Sequence, residues 1–401
     1  MGALNGITVL DLSRIVAGPL CTQTLGDYGA DVIKVEKPGA GDDARGFGPP
    51  FLTSEDGATT GDALYFTCYN RNKRSVSIDI ATVEGQAQIR QLAARADVLV
   101  ENFKTGDLAR YGLDYSAIRA VNPSIVYCSI TGYGQDGPYA GRPGYDLMFQ
   151  GEAGFMSYNG RADDEAGAGP QRAGVPIIDM FTSMHAASAI LAALHHRHTT
   201  GQGQHIDIAL FDVAVTLNAG MNLVWLAEGT IPQRTGNTSP FIVPYNVFQT
   251  RDGFVIAGAG GDAQWSRLCS ALQIADLGDD PRLDTNAGRS KHKAEVNAAV
   301  AAAILPLSID ECVARLRAAK VPVGPVNTID RVFADPHVLH RELAFELPHP
   351  VSGTLPMVRN PVRFSETPIN YVVPPLAGQH SAEILAGLGD SVASRSAHPG
   401  D

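Results

Sequence analysis

Residues 7–36 read ITVLDLSRIVAGPLCTQTLGDYGADVIKVE, and this stretch decides the fold class. The apolar run Ile7–Leu12 predicts a strand, Pro19–Tyr28 has the spacing of a helix that Gly29 ends, and Asp31–Glu36 predicts a second strand. A strand, a helix and another strand in this order are typical of a parallel sheet whose connections are helices. The N-terminal part of the chain is therefore expected to be an α/β domain.

The same alternation continues along the chain and sets the expected domains. Apolar runs at 76–80, 97–101 and 125–130 predict further strands, with a helical pattern at 83–96 and another at 179–198. We expect a large Rossmann-like domain with a mostly parallel sheet, followed by a smaller α+β domain that begins with a hairpin around Asp252-Gly253. The expected boundaries are 1–205 for the large domain, 206–227 for a linker helix, 228–328 for the small domain, 329–388 for a segment returning to the large domain, and 389–401 for a tail.

Composition excludes several functional classes. The 401 residues suggest more than one core, and a net charge of −11 argues against nucleic-acid binding. No signal peptide is expected at the N-terminus and no stretch is expected to span a membrane. The five dispersed cysteines include no CxxC pair, which favours a reducing cytoplasm. His195, His196 and His198 are interpreted as the polar end of a helix, and no metal site is expected.

Glycine motifs do not support nucleotide binding. Gly132–Gly137 has GxGxxG spacing after a predicted strand, but Pro138 and Pro143 follow where a dinucleotide site needs a helix. These glycines are therefore interpreted as turn residues. The chain contains neither a Walker sequence nor the GxSxG motif of serine hydrolases. The span 38–62 is rich in Gly, Pro and Asp and predicts a long surface loop with a functional role.

Asp179 is the most interesting single carboxylate, since it stands where a long helix begins. A carboxylate is ionised at neutral pH and can act as a nucleophile without a partner base. Aspartate is also a preferred residue at a helix N-cap, and the residues alone favour that alternative.

Several segments resemble, in order and spacing, the class III CoA-transferase family. They are Leu12–Pro19, Val32–Gly39, Asn70–Ser75 and Val100–Phe103, and the resemblance extends from Leu4 to about Leu385. The superfamily includes formyl-CoA and carnitine CoA-transferases and α-methylacyl-CoA racemases. The chain is most similar to the succinyl-CoA-dependent branch typified by succinate–hydroxymethylglutarate CoA-transferase, through the segments Pro38–Asp43, Tyr127–Gln135, Gly144–Asp146 and Ile242–Tyr245.

The resemblance implies a reaction and its residues. Asp179 would be the covalent nucleophile of CoA transfer from an acyl-CoA, with succinyl-CoA the expected donor, to a carboxylic or dicarboxylic acid. Asp146 matches an acidic position of the active site, and Gly258–Gly261 is a candidate oxyanion hole. No permanent cofactor is implied, because coenzyme A is a substrate. Residues matching the family's CoA contacts are Val16, Ala17, Lys37, Ile78, Ala81, Asn102, Phe103, Lys104, Arg110, Arg142 and Tyr145.

Three positions depart from patterns in the superfamily. Val16 replaces a Gln of formyl-CoA transferases, and Pro143 replaces a Lys, for which Arg142 is the possible substitute. Tyr145 stands where racemases have an acid/base His, and tyrosine is a poor base at neutral pH, which favours transfer over racemisation. An acyl-CoA racemase or epimerase and a non-catalytic acyl-CoA binding protein remain the alternatives.

The resemblance also implies a quaternary structure, an interlocked homodimer of two ring-shaped protomers. A dicarboxylic substrate needs a cation for its second carboxylate, and the loops flanking the expected site offer Arg45, Arg71 and Lys73.

Overall fold

The computed structural model describes residues 1–389 of the chain, which form two compact units. The first unit contains residues 1–155, 173–223 and the described residues from 341 onward. The second unit contains residues 156–172 and 224–340. The expected tail falls on residues outside the described part, except for Gly389, which ends the last helix.

The strands of the described residues are short. They are β1 (Thr8–Asp11), β2 (Asp31–Glu36), β3 (Phe51–Thr53), β4 (Thr59–Ala63), β5 (Lys73–Ser77), β6 (Val98–Glu101), β7 (Val126–Thr131), β8 (Gly160–Arg161), β9 (Gly169–Pro170), β10 (Gln204–Ala209), β11 (Tyr245–Gln249), β12 (Phe254–Gly258), β13 (Val323–Pro325), β14 (Ala344–His349) and β15 (Gly353–Val358).

The helices vary more in length. They are α1 (Ala17–Asp27), α2 (Leu64–Thr67), α3 (Val83–Ala93), α4 (Tyr115–Val121), α5 (Asp146–Glu152), α6 (Phe155–Tyr158), α7 (Ile177–Thr200), α8 (Leu210–Leu217), α9 (Gly220–Glu228), α10 (Asp262–Leu272), α11 (Ala275–Gly278), α12 (Asn286–Lys291), α13 (Lys293–Ile304), α14 (Ile309–Ala318), α15 (Ile329–Phe333), α16 (Pro336–His340) and α17 (Ser381–Gly389), with 3-10 turns at Asp43–Gly46, Ala109–Tyr111 and Pro281–Leu283.

The first unit is built on a six-stranded sheet within the described residues, in the order β10-β7-β6-β1-β2-β5. All neighbouring pairs in this sheet are parallel. Numbered by position along the chain, this is the doubly wound order 3-2-1-4-5-6, in which the connection changes direction between β1 and β6. The expected α/β fold with a mostly parallel, Rossmann-like sheet is confirmed.

Both faces of the sheet are covered by helices, since strand side chains alternate between them. On one face Val9 and Val100 belong to a core that includes Leu25 of α1 and Ile190 of α7. On the other face Leu10 and Leu99 pack in a core with residues of α3, α4 and α17, the last being Ile384. The sheet therefore has an apolar core on each face, although β2 and β5 also bury polar side chains such as Lys34 and Ser75.

Helix α7 is the longest helix of the described residues. It is long and apolar enough to cross a membrane, and so are the bent pairs α8 with α9 and α13 with α14 if each pair is taken as one span. The expectation that no stretch has the length and composition of a membrane span is therefore wrong. In the structure the buried α7 residues Ile178, Ala186 and Ile190 belong to the core beneath the sheet.

The second unit has its own core of α10, α13 and α14 against the three-stranded sheet β11-β12-β13. Its hairpin pairs Tyr245 with Gly258 in antiparallel register. Fully buried Arg289 donates to the carbonyl oxygens of Val243 at 2.7 Å and Gly260 at 3.2 Å, which ties the two ends of this hairpin together.

The structure departs from the expected boundaries at three places. Residues 156–172, expected in the large domain, belong to the second unit. Residues 206–227, expected to be a linker helix, begin inside β10, which pairs with β7 at the edge of the sheet, and continue as α8 and α9. The return to the first unit begins near residue 341 instead of 329. The span 38–62 is not a plain surface loop, because it contains the β3–β4 hairpin and buries Asp42, Ala44 and Arg45.

Candidate active site

A cavity of about 350 Å³ lies at the carboxyl edge of the parallel sheet, where the connections from β1 and β6 diverge. Its walls include residues 14–17 after β1, residues 102–105 after β6, and the end of β7 at Thr131 and Gly132. Ligands of doubly wound sheets bind at this switch point, because adjacent loops there leave a crevice. The topology alone therefore places a binding site here.

Asp179 lines this cavity from the first turn of α7. The N-cap of α7 is Pro176, so the alternative in which Asp179 is an ordinary N-cap is wrong. The capping acceptor comes instead from Asp146, whose Oδ2 accepts the N–H groups of Ile178 at 2.7 Å and Asp179 at 3.2 Å. Gln150 donates to the other oxygen of Asp146, so this carboxylate is held on two sides.

Two effects make the Asp179 carboxylate unusual. Burial, followed by the negative charge of Asp146, raises the pKa of Asp179 to about 7. The site thus brings together two carboxylates at the end of one helix, with Asp146 bound to the backbone amides and Asp179 turned to the cavity. The unfavourable free energy of such a carboxylate charge is relieved when the carboxylate becomes a neutral acyl derivative.

Helices α1 and α7 are joined directly at the cavity. The Ser183 hydroxyl donates to the Ala17 carbonyl oxygen at 2.7 Å, four residues after Asp179. Gly18 permits the close turn that precedes α1, since a Cβ there would lie 2.1 Å from Cβ of Ser13. Gly18 therefore lets the turn close against the start of α1, where Val16 and Ala17 line the cavity.

A second cavity of about 210 Å³ adjoins the first along the sheet edge. Arg14, Asp43 and Phe103 line both cavities, and the Arg14 guanidinium lies 5.0 Å from the centre of the Phe103 ring. Lys37 and Ile78 line only the second cavity. The two spaces therefore adjoin at these three shared residues and together form one extended site.

The structure brings together most residues that the sequence analysis singled out. Those lining the first cavity are Val16, Ala17, Asn102, Phe103, Lys104, Arg142, Tyr145, Asp146 and Asp179. Lys37 and Ile78 line the second cavity, whereas Ala81 and Arg110 line neither. Arg110 is exposed and lies 3.9 Å from Asp107. Gly258–Gly261 belongs to the second unit.

The prediction that Arg45, Arg71 or Lys73 binds the second carboxylate of a substrate is wrong. Arg45 is buried and contacts Glu36 at 2.7 Å, Arg71 contacts Asp27 at 2.6 Å, and Lys73 contacts Asp11 at 3.0 Å. Each basic side chain is therefore already neutralised inside the protein. The sequence suggested a basic loop because the acidic partners lie 9 to 62 positions away in the chain.

Sequence reasoning missed residues that line the cavity beside the predicted ones. Arg14, Ile15, Asp43 and Thr105 all lie on its wall. Arg14, Ile15 and Asp43 stand within segments that carried the family resemblance, so their position in the β1–α1 and β2–β3 connections was the available signal. Glu101, at the end of β6, was also missed; burial raises its pKa to about 7, and it accepts the Phe103 N–H at 2.8 Å.

In residues 1–389 no group of His, Cys, Asp and Glu side chains has the arrangement of a metal site. His195, His196 and His198 lie near the end of α7, as the sequence predicted for a polar helix end. Gly134 and Gly137 have φ values of 92° and 84°, which only a turn glycine adopts readily.

A comparison with protein families agrees with the doubly wound fold and with the two cavity carboxylates, Asp146 and Asp179. The family model for CoA-transferase family III matches residues 4–381, and the chain belongs to this family. It is therefore a CoA-transferase, as the resemblance of its sequence segments implied.

Individual relatives agree with this assignment. The chain is 46% identical to a succinate–glutarate CoA-transferase of Agrobacterium fabrum, over 96% of this chain and 95% of that protein. It is 37% identical to a succinyl-CoA:mesaconate CoA-transferase of Haloarcula hispanica, over 97% and 98% of the two chains. The crystal structure of a CAIB/BAIF family protein from Brucella suis superposes with a TM-score of 0.87 at 42% identity, covering 97% of this chain and 100% of that one.

Proposed function

We propose that this enzyme transfers CoA from succinyl-CoA to a dicarboxylic acid through a covalent intermediate on Asp179. The observation that carries the proposal is the Asp179 carboxylate, which faces the switch-point cavity from the first turn of α7 with its pKa raised to about 7. Relatives whose names specify succinyl-CoA or succinate, with glutarate or mesaconate as the other acid, support the choice of substrates.

The reaction begins when an Asp179 oxygen attacks the thioester carbonyl carbon of the donor. The carbon–sulfur bond breaks, CoA leaves as a thiolate, and a mixed anhydride joins Asp179 to the acyl group. The thiolate then attacks the aspartyl carbonyl carbon of the anhydride, which forms an aspartyl-CoA thioester and releases the donor acid as a carboxylate. The acceptor carboxylate repeats both steps in reverse, so the new acyl-CoA leaves and Asp179 returns to its ionised form.

Asp146 would contribute through its charge and its position. Its carboxylate repels the charge of Asp179 in the free enzyme, and this repulsion disappears when Asp179 becomes an anhydride or thioester. Its hydrogen bonds to the Ile178 and Asp179 amides hold the nucleophile's backbone still during the exchange. Each step replaces one activated carboxyl group by another, so the chemistry consumes no ATP and requires no redox cofactor.

The second carboxylate of a dicarboxylic substrate needs a cation, and the first cavity offers different ones from those expected. Arg14, Lys104 and Arg142 line it and are all exposed, and Arg14 lies 3.1 Å from Asp43. The Arg142 guanidinium carbon lies over the Tyr139 ring, 3.8 Å from its centre. We expect a higher kcat/KM with succinyl-CoA than with acetyl-CoA. Replacing the cation that binds the second carboxylate by Met should reduce the ratio of these two kcat/KM values. Equal kcat/KM for both donors in the native enzyme would contradict this choice of substrate.

The proposed assembly rests on the family resemblance, and the proposed location rests on the dispersed cysteines without a CxxC pair. The proposed assembly is an interlocked homodimer, and the proposed location is the cytoplasm. Helix α9 supports self-association, because Leu223, Trp225 and Leu226 expose more than half of their surface. Light scattering on the purified protein should give twice the mass of 42.4 kDa.

Trapping the acyl group on the protein tests the covalent route. Enzyme incubated with succinyl-CoA and then with hydroxylamine or borohydride should be modified on one peptide, the one that contains Asp179, because only an activated carboxyl reacts with these reagents. Asp179→Asn should still bind CoA esters and should not be modified. Modification at another carboxylate, or turnover without any modified peptide, would refute the aspartyl intermediate.

A further inference from the structure

The connection between β1 and α1, residues 12–16, contains an unfavourable backbone conformation at the wall of the first cavity. Ile15 has φ of 73°, in the left-handed region. A β-branched residue is rarely found there, because its Cβ substituents crowd the backbone. Arg14, Val16 and Ala17 line the cavity beside it, so the conformation of Ile15 sets the direction of that wall.

Three side chains hold the backbone of this connection, one from β1, one from the residues after β6 and one from the β2–β3 connection. Asp11 accepts the N–H of Ser13 at 2.9 Å. The amide of Asn102 accepts the N–H of Arg14 and donates to its carbonyl oxygen, both at 2.8 Å. The N–H of Ile15, the strained residue, donates to Oδ1 of Asp42 at 3.1 Å.

Asp42 is itself fixed inside the protein. Its Oδ2 lies 2.8 Å from Nζ of Lys34, and neither side chain has any exposed surface. Lys34 also donates to the Ser13 carbonyl oxygen at 2.9 Å, and Asp42 accepts the N–H of Ala44 at 2.9 Å. The ion pair therefore connects β2 and the 3-10 turn at Asp43–Gly46 to both ends of the strained connection.

We propose that Asp42, held by Lys34, is a positioning residue that keeps Ile15 left-handed and so fixes the Arg14–Ala17 wall in the form that binds a CoA ester. The proposal rests on the proposed function insofar as that wall receives CoA. Without the acceptor on Asp42, Ile15 returns to an extended conformation and only a fraction of molecules keeps the competent wall. The apparent affinity then falls by that fraction, while the rate at saturation changes little.

A double-mutant experiment separates this role from general stability. Asp42→Ala should raise the Kd for CoA and the KM for succinyl-CoA by about tenfold and leave kcat within about twofold, given the usual cost of a strained backbone. In the Ile15→Gly background, where the left-handed conformation needs no clamp, the same Asp42→Ala change should raise Kd by less than about twofold. In the Ile15→Ala background, which also removes the Ile side chain but keeps a Cβ, the tenfold effect should persist.

Asp27→Ala is the matched control, because Asp27 is a buried carboxylate of the same unit that pairs with Arg71 away from the cavity. It should lower the melting temperature to a similar degree without changing Kd. Crystal structures of Asp42→Ala and of Asp42→Ala with Ile15→Gly should show negative and positive φ at residue 15, respectively. An equal effect of Asp42→Ala in the Gly and Ala backgrounds, or an unchanged φ in the single variant, overturns the proposal. CoA binding and φ need no turnover, so a chain that binds CoA but transfers none would refute the proposed function alone.

Discussion

Two groups of carboxylates in the first unit differ in what surrounds them. The paired carboxylates, Asp11, Glu36 and Asp42, lie inside the protein against basic side chains. The cavity carboxylates, Asp146 and Asp179, both line the cavity at the sheet edge, and the charge of Asp146 acts on Asp179. Burial raises the pKa of a carboxyl in both groups, but Lys73 and Lys34 lower that of Asp11 to about 2, whereas Asp146 raises that of Asp179 further, to about 7.

This difference separates a structural carboxylate from a reactive one. An ion pair with good hydrogen bonds stabilises the charge of a carboxylate, and a carboxylate stabilised in this way is a poor nucleophile. A carboxylate beside another carboxylate keeps its charge at a cost, and that cost is recovered when the charge is removed by acylation. An aspartate is thus structural beside a basic side chain and reactive beside a second carboxylate.

The largest expected effect is on turnover at the cavity carboxylates. Asp179→Asn should reduce CoA transfer by about a thousandfold or more, because the neutral amide has the same shape and cannot attack a thioester. The measurement is kcat/KM for succinyl-CoA with glutarate, next to the Kd for CoA, which should stay within about twofold. Residual activity above about a tenth of native would mean that another group carries the acyl chain.

The paired carboxylates should show their effect on stability instead. Asp11→Asn removes the buried carboxylate that Lys73 contacts at 3.0 Å and whose charge also acts on Lys34, which should lower the free energy of unfolding in urea by about 3–5 kcal/mol at pH 7. Because the pKa of Asp11 is lowered on folding, its contribution is present above pH ~4 and is lost as the pH falls towards about 2. Asp31→Asn, which breaks the partly exposed pair with Arg74, is the control and should cost less than about 1 kcal/mol. Equal losses in the two variants would show that burial of the pair does not matter.

The fold was predictable from sequence where local pattern and topology agree. The strand–helix–strand pattern of residues 7–36 gives β1, α1 and β2, and parallel pairing with covered faces follows from it. Strand β10 was missed although Gln204–Ala209 alternates polar and apolar residues as an edge strand does, because this short segment lies between two helical patterns. The 156–172 segment joins the second unit through contacts that no local pattern encodes.

The candidate site was only partly predictable. Asp179, Asn102 and Phe103 stand at ends of elements, where the topology of a parallel sheet gathers residues. Arg45, Arg71 and Lys73 were assigned to the wrong role, because their partners Glu36, Asp27 and Asp11 are fixed by tertiary packing. The sequence identifies the charged residues, but which acidic side chain each basic one contacts depends on which strands and helices are neighbours in the folded protein.

The cavity carboxylates should also affect stability, with the opposite sign to the paired ones. Folding raises the pKa of Asp179 from 3.8 to about 7, so stability is lost as the pH rises between these values. Asp179→Asn removes this cost and should therefore raise the free energy of unfolding by about 4 kcal/mol at pH 8 and by little at pH 4. Urea denaturation of the two proteins at both pH values measures it. A variant that is less stable than the native enzyme at pH 8 would show that the Asp179 charge is not strained.

The smallest effect concerns the charge of Asp146 and refines the comparison within the cavity pair. Only ionised Asp179 attacks, so kcat/KM should fall as the pH drops through about 7. Asp146→Asn removes the second, smaller cause of the shift and leaves burial, so the midpoint should move to lower pH by less than half of the whole shift. Glu101 also has a pKa of about 7 and lies next to Phe103, which makes it the competing origin of the pH limb. Glu101→Gln can still accept the Phe103 N–H, and the limb should stay near pH 7 in this variant. If Glu101→Gln abolishes the limb while Asp146→Asn leaves it in place, the pH dependence arises at the end of β6, and repulsion between the cavity carboxylates does not control the nucleophile.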